Sequence, residues 1–390
     1  MIWRESADAF IYYFKQIFGE LDISLSDGCW FYESTVDDTH LGQKTAAELE
    51  QLGIATVDDT ERYKGALFVD FALHADAFPE ERRKRVRQLG KMTILRSDGT
   101  SLYQTKELGL AKYKFDLIRE KTGKPLDESL YVVGAEQKLY FEQVFAILHL
   151  WGFPNADNCR HISYELVVLP EGKISSREGT VVSYRELRDE AIRRAEAITR
   201  DKGIGASSAG GGGAIDEAKV ADIARKVAIA AIKYAMLQVT GSQQITFNFE
   251  QALSFDGRSA PYLQYAYARA GKLVEGLVGQ ASSLPSEDAG KMPAPPASPG
   301  YALHDSEVQL ARHIGRFDDV AREAALAYEP ATLCTYLYEL ACAFSDFYRD
   351  CRVLDAPEPQ RGFRQRLAAA FRNVIQLGFS ILALPLPEEM

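Results

Sequence analysis

The 390-residue sequence contains no run of about 18 consecutive apolar residues, which is the length needed to cross a membrane. Its first residues lack the apolar core of a secretory signal peptide, so we expect a cytoplasmic protein with no membrane partner. The five cysteines include no CxxC pair and are odd in number, which argues against a disulfide framework and a zinc site. The six histidines show no metal-ligand spacing, so no metal is expected.

Two nucleotide-binding signatures are also missing. The sequence has neither GxGxxG nor GxxxxGK[ST], so a dinucleotide or P-loop phosphate cradle is unsupported. The formal net charge of −10 argues against indiscriminate binding to nucleic acid, and no DNA partner is expected. A local basic surface remains compatible with this balance, because the distribution of charge matters more than its sum.

Two low-complexity segments divide the chain, and both are predicted to be exposed loops. Residues 202–214 are glycine-rich and cannot bury side chains, whereas residues 282–300 are rich in proline. Before the first segment, predicted strands (residues 130–133 and 163–169) alternate with helices, which is typical of a parallel α/β sheet. Beyond it, apolar residues recur at i, i+3 and i+4, which predicts a helical bundle. The expected fold class is therefore α/β followed by all-α.

A short polar loop at residues 172–180 follows a predicted strand and precedes a predicted helix. Its side chains suit phosphate binding through charge-assisted hydrogen bonds. They are Lys173, Ser175, Ser176 and Arg177. A solvated basic turn explains the same residues equally well.

This loop resembles the KMSKS loop of class I aminoacyl-tRNA synthetases, in the version found in arginyl-tRNA synthetases. Four further segments resemble that family in the same order. They are residues 96–107 (RSDGT followed by Tyr103 and Glu107), 131–141 (YVVG followed by Gln137), 255–269 (containing PYLQYAYAR) and 336–354. The resemblance covers most of residues 20–390.

The resemblance implies a domain organisation. Residues 1–165 would form a partial Rossmann-like catalytic domain with an insertion, and 166–215 the KMSKS-like loop and glycine-rich linker. Residues 216–390 would form an α-helical anticodon-binding domain of the DALR type. We expect tRNA as the partner.

The resemblance also implies an amino-acid pocket, because the family residues that line it match Tyr103, Glu107 and Gln137. A carboxylate near a tyrosine hydroxyl can hold a guanidinium through paired hydrogen bonds. The family has aspartate where this chain has Glu107, which leaves the preference for arginine open.

The predicted tRNA-binding residues lie on the segment that follows Pro261, at helical spacing, with one more near the C-terminus. They are Tyr262, Gln264, Tyr265, Arg269 and, on the resemblance alone, Arg352. Aromatic faces with Gln and Arg can stack on unpaired bases of an RNA loop and bond to them. The structural alternative is an aromatic seam between helices of the bundle.

Class I synthetases carry a HIGH motif near the start of the nucleotide-binding fold, and none precedes the KMSKS-like loop here. The similar residues 313–316 follow that loop, so we interpret them as a coincidence on a helix surface. On this ground we expect a truncated relative that lacks the HIGH half and does not activate arginine with ATP by itself.

We therefore predict an enzyme that consumes charged tRNA without a cofactor. Fungal arginine-containing cyclodipeptide synthases are enzymes of this kind. An enzyme of this kind would join the arginine of Arg-tRNA to the amino acid of a second aminoacyl-tRNA as cyclo-Arg-Xaa. The sequence does not choose among the candidate catalytic residues. They are Glu107, Glu136, Tyr140, Ser175 and Ser176. Two alternatives remain, namely a non-catalytic tRNA-binding paralogue and an arginine–tRNA ligase fragment that needs a partner chain.

Overall fold

The computed structural model describes residues 2–25, 32, 34, 39–57, 64–169, 183–202, 216–281, 300–388 and 390. The described chain forms two compact units. The α/β unit comprises Leu25–Glu165, and the helical unit combines Met1–Ser24 with Leu166–Met390. The division into segments 1–165, 166–215 and 216–390 stays a prediction.

The described elements are short strands and mostly long helices. The helices are α1 (Ile2–Glu20), α2 (Leu41–Gln51), α3 (Phe71–His74), α4 (Glu80–Arg87), α5 (Tyr103–Thr122), α6 (Lys138–Leu150), α7 (Tyr184–Asp201), α8 (Glu217–Leu237), α9 (Phe249–Ala252), α10 (Ala260–Ala281), α11 (Asp305–Gly315), α12 (Phe317–Ala327), α13 (Pro330–Asp350) and α14 (Gln360–Ile381). The strands are β1 (Thr56–Val57), β2 (Leu67–Asp70), β3 (Lys91–Leu95), β4 (Ser129–Gly134), β5 (Cys159–Tyr164), β6 (Val167–Val168) and β7 (Ile245–Thr246).

The α/β unit contains two small sheets. Strands β4 and β5 pair in parallel, and α6 connects them, which confirms the predicted strand–helix–strand alternation. Strands β1, β2 and β3 form an antiparallel sheet that the sequence did not predict. Helices α2, α5 and α6 bury their apolar faces in one core around Leu49, Leu108 and Ile147.

The single strand predicted over residues 163–169 is wrong. It is two strands, β5 and β6, which pair with different partners: β5 with β4 and β6 with β7. Residue Glu165 lies between them, at the boundary of the two units. The run contains no glycine or proline, so apolar periodicity does not show the break.

The helical unit has two cores. One lies between α10, α13 and α14, where the rings of Phe344 and Phe371 stack with centroids 4.1 Å apart. The other joins α7 and α8 to β6 and β7. Apolar residues that recur at i, i+3 and i+4 in this unit, Leu337 and Phe371 among them, are buried, which confirms the predicted bundle. Within the described ranges, no helix combines the length and the apolar character needed to cross a bilayer.

Helices α13 and α14 approach closely at Gly378. A Cβ at this position would lie 2.6 Å from Cδ2 of Leu337, which is itself fully buried. We expect Gly378→Ala to lower the unfolding free energy by about 1–3 kcal/mol, because overpacking forces neighbours off their rotamers. Urea unfolding measures this change. Gly315→Ala is the matched control, since its Cβ meets nothing within 4 Å. Equal stability of the two variants would contradict this account of the packing.

Candidate functional site

Helix α5 presents a row of polar side chains along one face. It begins at Tyr103, and Glu107 and Lys114 follow four and eleven positions later, within about 40° of the same direction at 3.6 residues per turn. The Glu107 side chain is 13% exposed, and its Oε1 lies 3.7 Å from Nζ of Lys114. The face therefore holds a half-shielded ion pair with a tyrosine at its N-terminal end.

Two tyrosines from neighbouring elements complete this cluster. Tyr140, on α6, lies with its ring centroid 5.7 Å from that of Tyr103, and Tyr131 projects from β4. The hydroxyls of Tyr131 and Tyr140 are buried and have no hydrogen-bond partner among the described residues. Burial raises the pKa of both, and the negative charge of Glu107 raises it further. Both hydroxyls are thus protonated at neutral pH and free to donate or accept.

Lys114 was not predicted as a site residue. Its ammonium lies 4.2 Å from the ring centroid of Tyr131, a cation–π distance. Burial lowers the pKa of Lys114, and the carboxylate of Glu107 opposes this shift. Nearby on β5, burial raises the pKa of Cys159 to about 11, so this thiol stays neutral. Glu107 and Lys114 are two helical turns apart in sequence, and this spacing is the signal from which Lys114 could have been predicted.

The turn after β4 carries a predicted catalytic candidate, Glu136, and the last predicted pocket residue, Gln137. Glu136 and Gln137 lie in a short 3-10 helix, Ala135–Gln137, at the carboxyl end of a parallel strand, where ligands of open α/β sheets usually bind. Gln137 is half-buried and immediately precedes α6. Glu136 is exposed, and its carboxylate folds over Gly134, where a Cβ would collide with it. The predicted pocket residues Tyr103, Glu107 and Gln137 and the catalytic candidate Tyr140 thus belong to neighbouring elements of one unit.

A second cluster lies in the helical unit, around Arg269 on α10. Its Nη2 donates to the hydroxyl of Tyr265 at 2.8 Å. Its guanidinium lies 4.5 Å from the ring centroid of Tyr265 and 4.7 Å from that of Tyr348, on α13. Tyr348 is 42% exposed and was not singled out as a tRNA contact. Two aromatic faces and a guanidinium are the groups that stack on unpaired bases.

Two other residues predicted to bind tRNA face the helix interfaces. Gln264 is fully buried, and its Nε2 donates to the carbonyl of Pro385 at 2.8 Å. Tyr262 is half-buried, with its hydroxyl 3.0 Å from Oγ of Ser345. These contacts favour packing between the helices over tRNA binding as the role of both residues.

Arg352 is exposed just beyond the end of α13. Its carbonyl accepts a hydrogen bond of 2.7 Å from Nη1 of Arg364, whose Nε donates to Oε1 of Glu307 at 2.6 Å. The backbone that carries Arg352 is therefore held from the core, which leaves its side chain facing solvent.

The KMSKS-like residues lie outside the part of the chain that the structure describes. They are Lys173, Ser175, Ser176 and Arg177.

The HIGH-like residues 313–316 lie at the end of α11. In the part of the chain that the structure describes, no three His, Cys, Asp or Glu side chains group as metal ligands do.

Comparison with known proteins extends this picture. The family model "tRNA synthetases class I (R), catalytic domain" matches residues 1–249, and "DALR anticodon binding domain" matches 263–390. These matches define a class I synthetase catalytic domain followed by a helical anticodon-binding domain, as predicted. The chain belongs to the arginyl-tRNA synthetase family.

Individual relatives agree with this assignment. The arginine–tRNA ligase of Bdellovibrio bacteriovorus is 32% identical over 392 residues, which cover all of this chain and 59% of the relative. That of Treponema denticola is 36% identical over 78% of this chain and 48% of the relative. The Thermus thermophilus arginyl-tRNA synthetase structure superposes with a TM-score of 0.68 at 29% identity, covering 90% of this chain and 58% of that one. The chain thus spans about half to three-fifths of the length of these relatives.

The predicted cyclodipeptide synthase is wrong. The curated relatives are named arginine–tRNA ligases, and they match the chain across both domains. The second aminoacyl-tRNA and the role of a peptide-forming aminoacyltransferase therefore lose their support. The sequence also predicted that this chain alone would not ligate arginine to tRNA with ATP, and the ligase names of the relatives weigh against that expectation. The truncation inferred from the missing HIGH motif is not confirmed.

Proposed function

We propose that this chain recognises arginine and tRNA for ATP-dependent arginine–tRNA ligation, with the arginine pocket on the α5 face. The observation that carries the proposal is the shielded carboxylate of Glu107 beside two buried tyrosine hydroxyls without partners. Buried polar groups are almost always satisfied, so two unpartnered hydroxyls near one carboxylate are consistent with a ligand that bonds to them. Arginine is the ligand that the names of the relatives, arginine–tRNA ligases, support for this pocket.

The chemistry of the pocket suits a guanidinium. A planar group with five N–H donors can place two of them on the carboxylate of Glu107 and others on the oxygens of Tyr131 and Tyr140. The ammonium of Lys114 lies 3.7 Å from Oε1 of Glu107, so one oxygen of the carboxylate faces Lys114 and the other can accept from the guanidinium. Tyr103 lies beside Tyr140, and Tyr103 and Gln137 would contact the rest of the amino acid, Gln137 on the family resemblance alone.

The helical unit supplies the proposed tRNA contacts. Tyr265, Arg269 and Tyr348 form a stacking surface, and the exposed Arg352 offers a phosphate contact. The KMSKS-like loop would add Lys173 and Arg177 for the phosphates of ATP, on the resemblance alone. The names of the relatives are the only support for ligation. Binding of arginine and of tRNA is also supported by the geometry of this chain.

The test measures binding and chemistry separately. Purified chain is titrated with L-arginine by calorimetry and mixed with total tRNA, whose bound species are sequenced. We expect arginine binding, enrichment of arginine-accepting tRNAs, and transfer of labelled arginine to tRNA when ATP and Mg²⁺ are added. Binding of both without transfer would overturn ligation by this chain alone. Binding of neither would overturn the whole proposal.

We expect Arg269→Ala to weaken tRNA binding by up to about tenfold, because a guanidinium stacked on an aromatic face is worth about 0.5–2 kcal/mol. Filter binding at a fixed salt concentration measures this loss. Arg322→Ala, an exposed arginine on α12, is the charge-matched control and should change affinity less than twofold. If the two variants bind alike, Arg269 acts only as one more positive charge, or the RNA lies elsewhere.

A further inference from the structure

The ammonium of Lys114 lies near a carboxylate and an aromatic ring, the groups that bind ammonium ions. It is 3.7 Å from Oε1 of Glu107 and 4.2 Å from the ring centroid of Tyr131. An anion on one side and an aromatic face on the other are the two groups that recognise a compact cation. Lys114 thus already occupies the position beside Glu107 and Tyr131 that a ligand ammonium would take.

We propose that Lys114 is a specificity-determining residue that excludes ammonium side chains, such as that of lysine, from the arginine pocket. The inference rests on the proposed function, since it assumes that arginine binds at Glu107. A substrate lysine needs the place beside Glu107 that Lys114 already holds, and its point charge is repelled there. Specificity of this kind depends on a built-in repulsive element as well as on attractive contacts.

Arginine is affected less by the same residue. Its guanidinium spreads the charge over a plane and forms two parallel hydrogen bonds with a carboxylate, which one ammonium cannot match. It can also bond to the unpartnered hydroxyls of Tyr131 and Tyr140. These bonds offset the repulsion from Lys114 for arginine, but a lysine side chain gains few of them. The net result is discrimination between two cationic amino acids.

The longer acidic side chain is consistent with this arrangement. Glu107 carries one methylene more than the aspartate expected there from the family resemblance, and its carboxylate reaches Lys114 two turns along the same helix. The pocket's charge is therefore nearly balanced before any ligand binds. A balanced pocket selects by the shape and number of hydrogen bonds more than by charge.

The test is the ratio of the dissociation constants for L-lysine and L-arginine, measured by calorimetry on the full chain. Lys114→Ala empties the position beside Glu107, and we expect lysine to bind better and the ratio to fall at least tenfold. Lys114→Arg keeps the charge and should keep the ratio within threefold. Lys112→Ala is the matched control, because this lysine lies on the same helix, 3.7 Å from Asp116, and should leave the ratio unchanged.

The outcomes separate this inference from the function on which it rests. Arginine binding with an unchanged ratio in Lys114→Ala, or an equal fall in Lys112→Ala, overturns the role of Lys114 alone. Absence of arginine binding by the unmodified chain overturns the arginine pocket, and this inference with it. If Lys114→Ala does not fold, Lys114→Met removes the charge while keeping the stem, and a fall in the ratio of at least threefold is then required.

Discussion

Glu107→Gln should abolish measurable arginine binding while leaving tRNA binding within twofold of the unmodified chain. The substitution keeps the shape of the side chain but removes the charge that faces the guanidinium. Loss of one partner of a desolvated charge pair costs about 2–5 kcal/mol, or roughly 30-fold or more in affinity. Lys114 would then lose its counter-ion and repel the ligand, so we expect the upper part of this range. Calorimetric titration with L-arginine measures the effect.

Two controls sharpen this prediction. Asp116→Asn changes an acid on the same helix whose partners are Lys112 and Arg119, and it should leave arginine binding unchanged. Glu107→Asp restores the shorter acid, and it should keep binding within tenfold. Arginine binding by Glu107→Gln within threefold of the unmodified chain would place the pocket elsewhere. A shared unfolding midpoint among the variants shows that each is folded.

Local patterns predicted much of the fold. The i, i+3, i+4 spacing around Leu337 and Phe371 identified buried helix faces, because a core-facing stripe follows the turn of the helix. The parallel pair β4–β5 was predicted because an apolar run ending at Gly134 precedes a helix. The antiparallel β1–β2–β3 sheet was missed, since its strands are short and β1 is exposed.

The candidate site shows a different limit. The family resemblance identified Tyr103, Glu107 and Gln137 as site residues. Without it, Tyr103 would have been interpreted as a tyrosine at the start of a helix and Glu107 as an exposed acid. The unpartnered hydroxyls of Tyr131 and Tyr140 depend on burial by other elements, which no sequence pattern reports. The error at the level of function came from treating a missing motif as positive support for a new reaction.

The tRNA-binding residues stay a prediction, and the structure separates two of them by the helix face on which they lie. Helical spacing groups Gln264 with Tyr265 only loosely, since adjacent residues on a helix point about 100° apart. Gln264 therefore faces the core and bonds to Pro385, while Arg269, four residues after Tyr265, shares its face. Helical periodicity counted from Tyr265 thus distinguishes the core-facing Gln264 from Arg269, which shares the face of Tyr265. Treating all residues of the motif alike does not make this distinction.

The other large effect concerns a buried ion pair in the helical unit. Glu307 on α11 is fully buried, and its carboxylate accepts from Nε of Arg364 at 2.6 Å, the hydroxyl of Tyr301 at 2.8 Å and the backbone N–H of His304 at 2.6 Å. Burial alone would raise the pKa of Glu307, but the hydrogen bond from Arg364 and those from His304 and Tyr301 lower it overall. The carboxylate is therefore charged in the folded state.

Arg364→Leu should lower the unfolding free energy by about 3–5 kcal/mol at pH 7, because it leaves that buried charge without its cation. It also removes the hydrogen bond of 2.7 Å to the carbonyl of Arg352, so tRNA affinity should fall with stability. Urea unfolding measures the first effect and filter binding the second. Arg361→Gln, which breaks an exposed pair with Glu358 at 3.0 Å, is the control and should leave the midpoint unchanged.

The dependence on pH distinguishes the ion pair from simple loss of packing. A carboxyl whose folded pKa lies below its usual 4.5 stabilises the fold fully above that pH, and this contribution is lost as the pH falls through the folded pKa. The difference between the unmodified chain and Arg364→Leu should therefore be largest near neutrality and shrink as the pH falls below about 4.5. Protonation of Glu307 then removes its attraction to Arg364 in the unmodified chain, and it relieves the unpaired buried charge in the variant. A difference that stays constant across this range would mean that Arg364 stabilises the unit through its aliphatic stem and not through its charge.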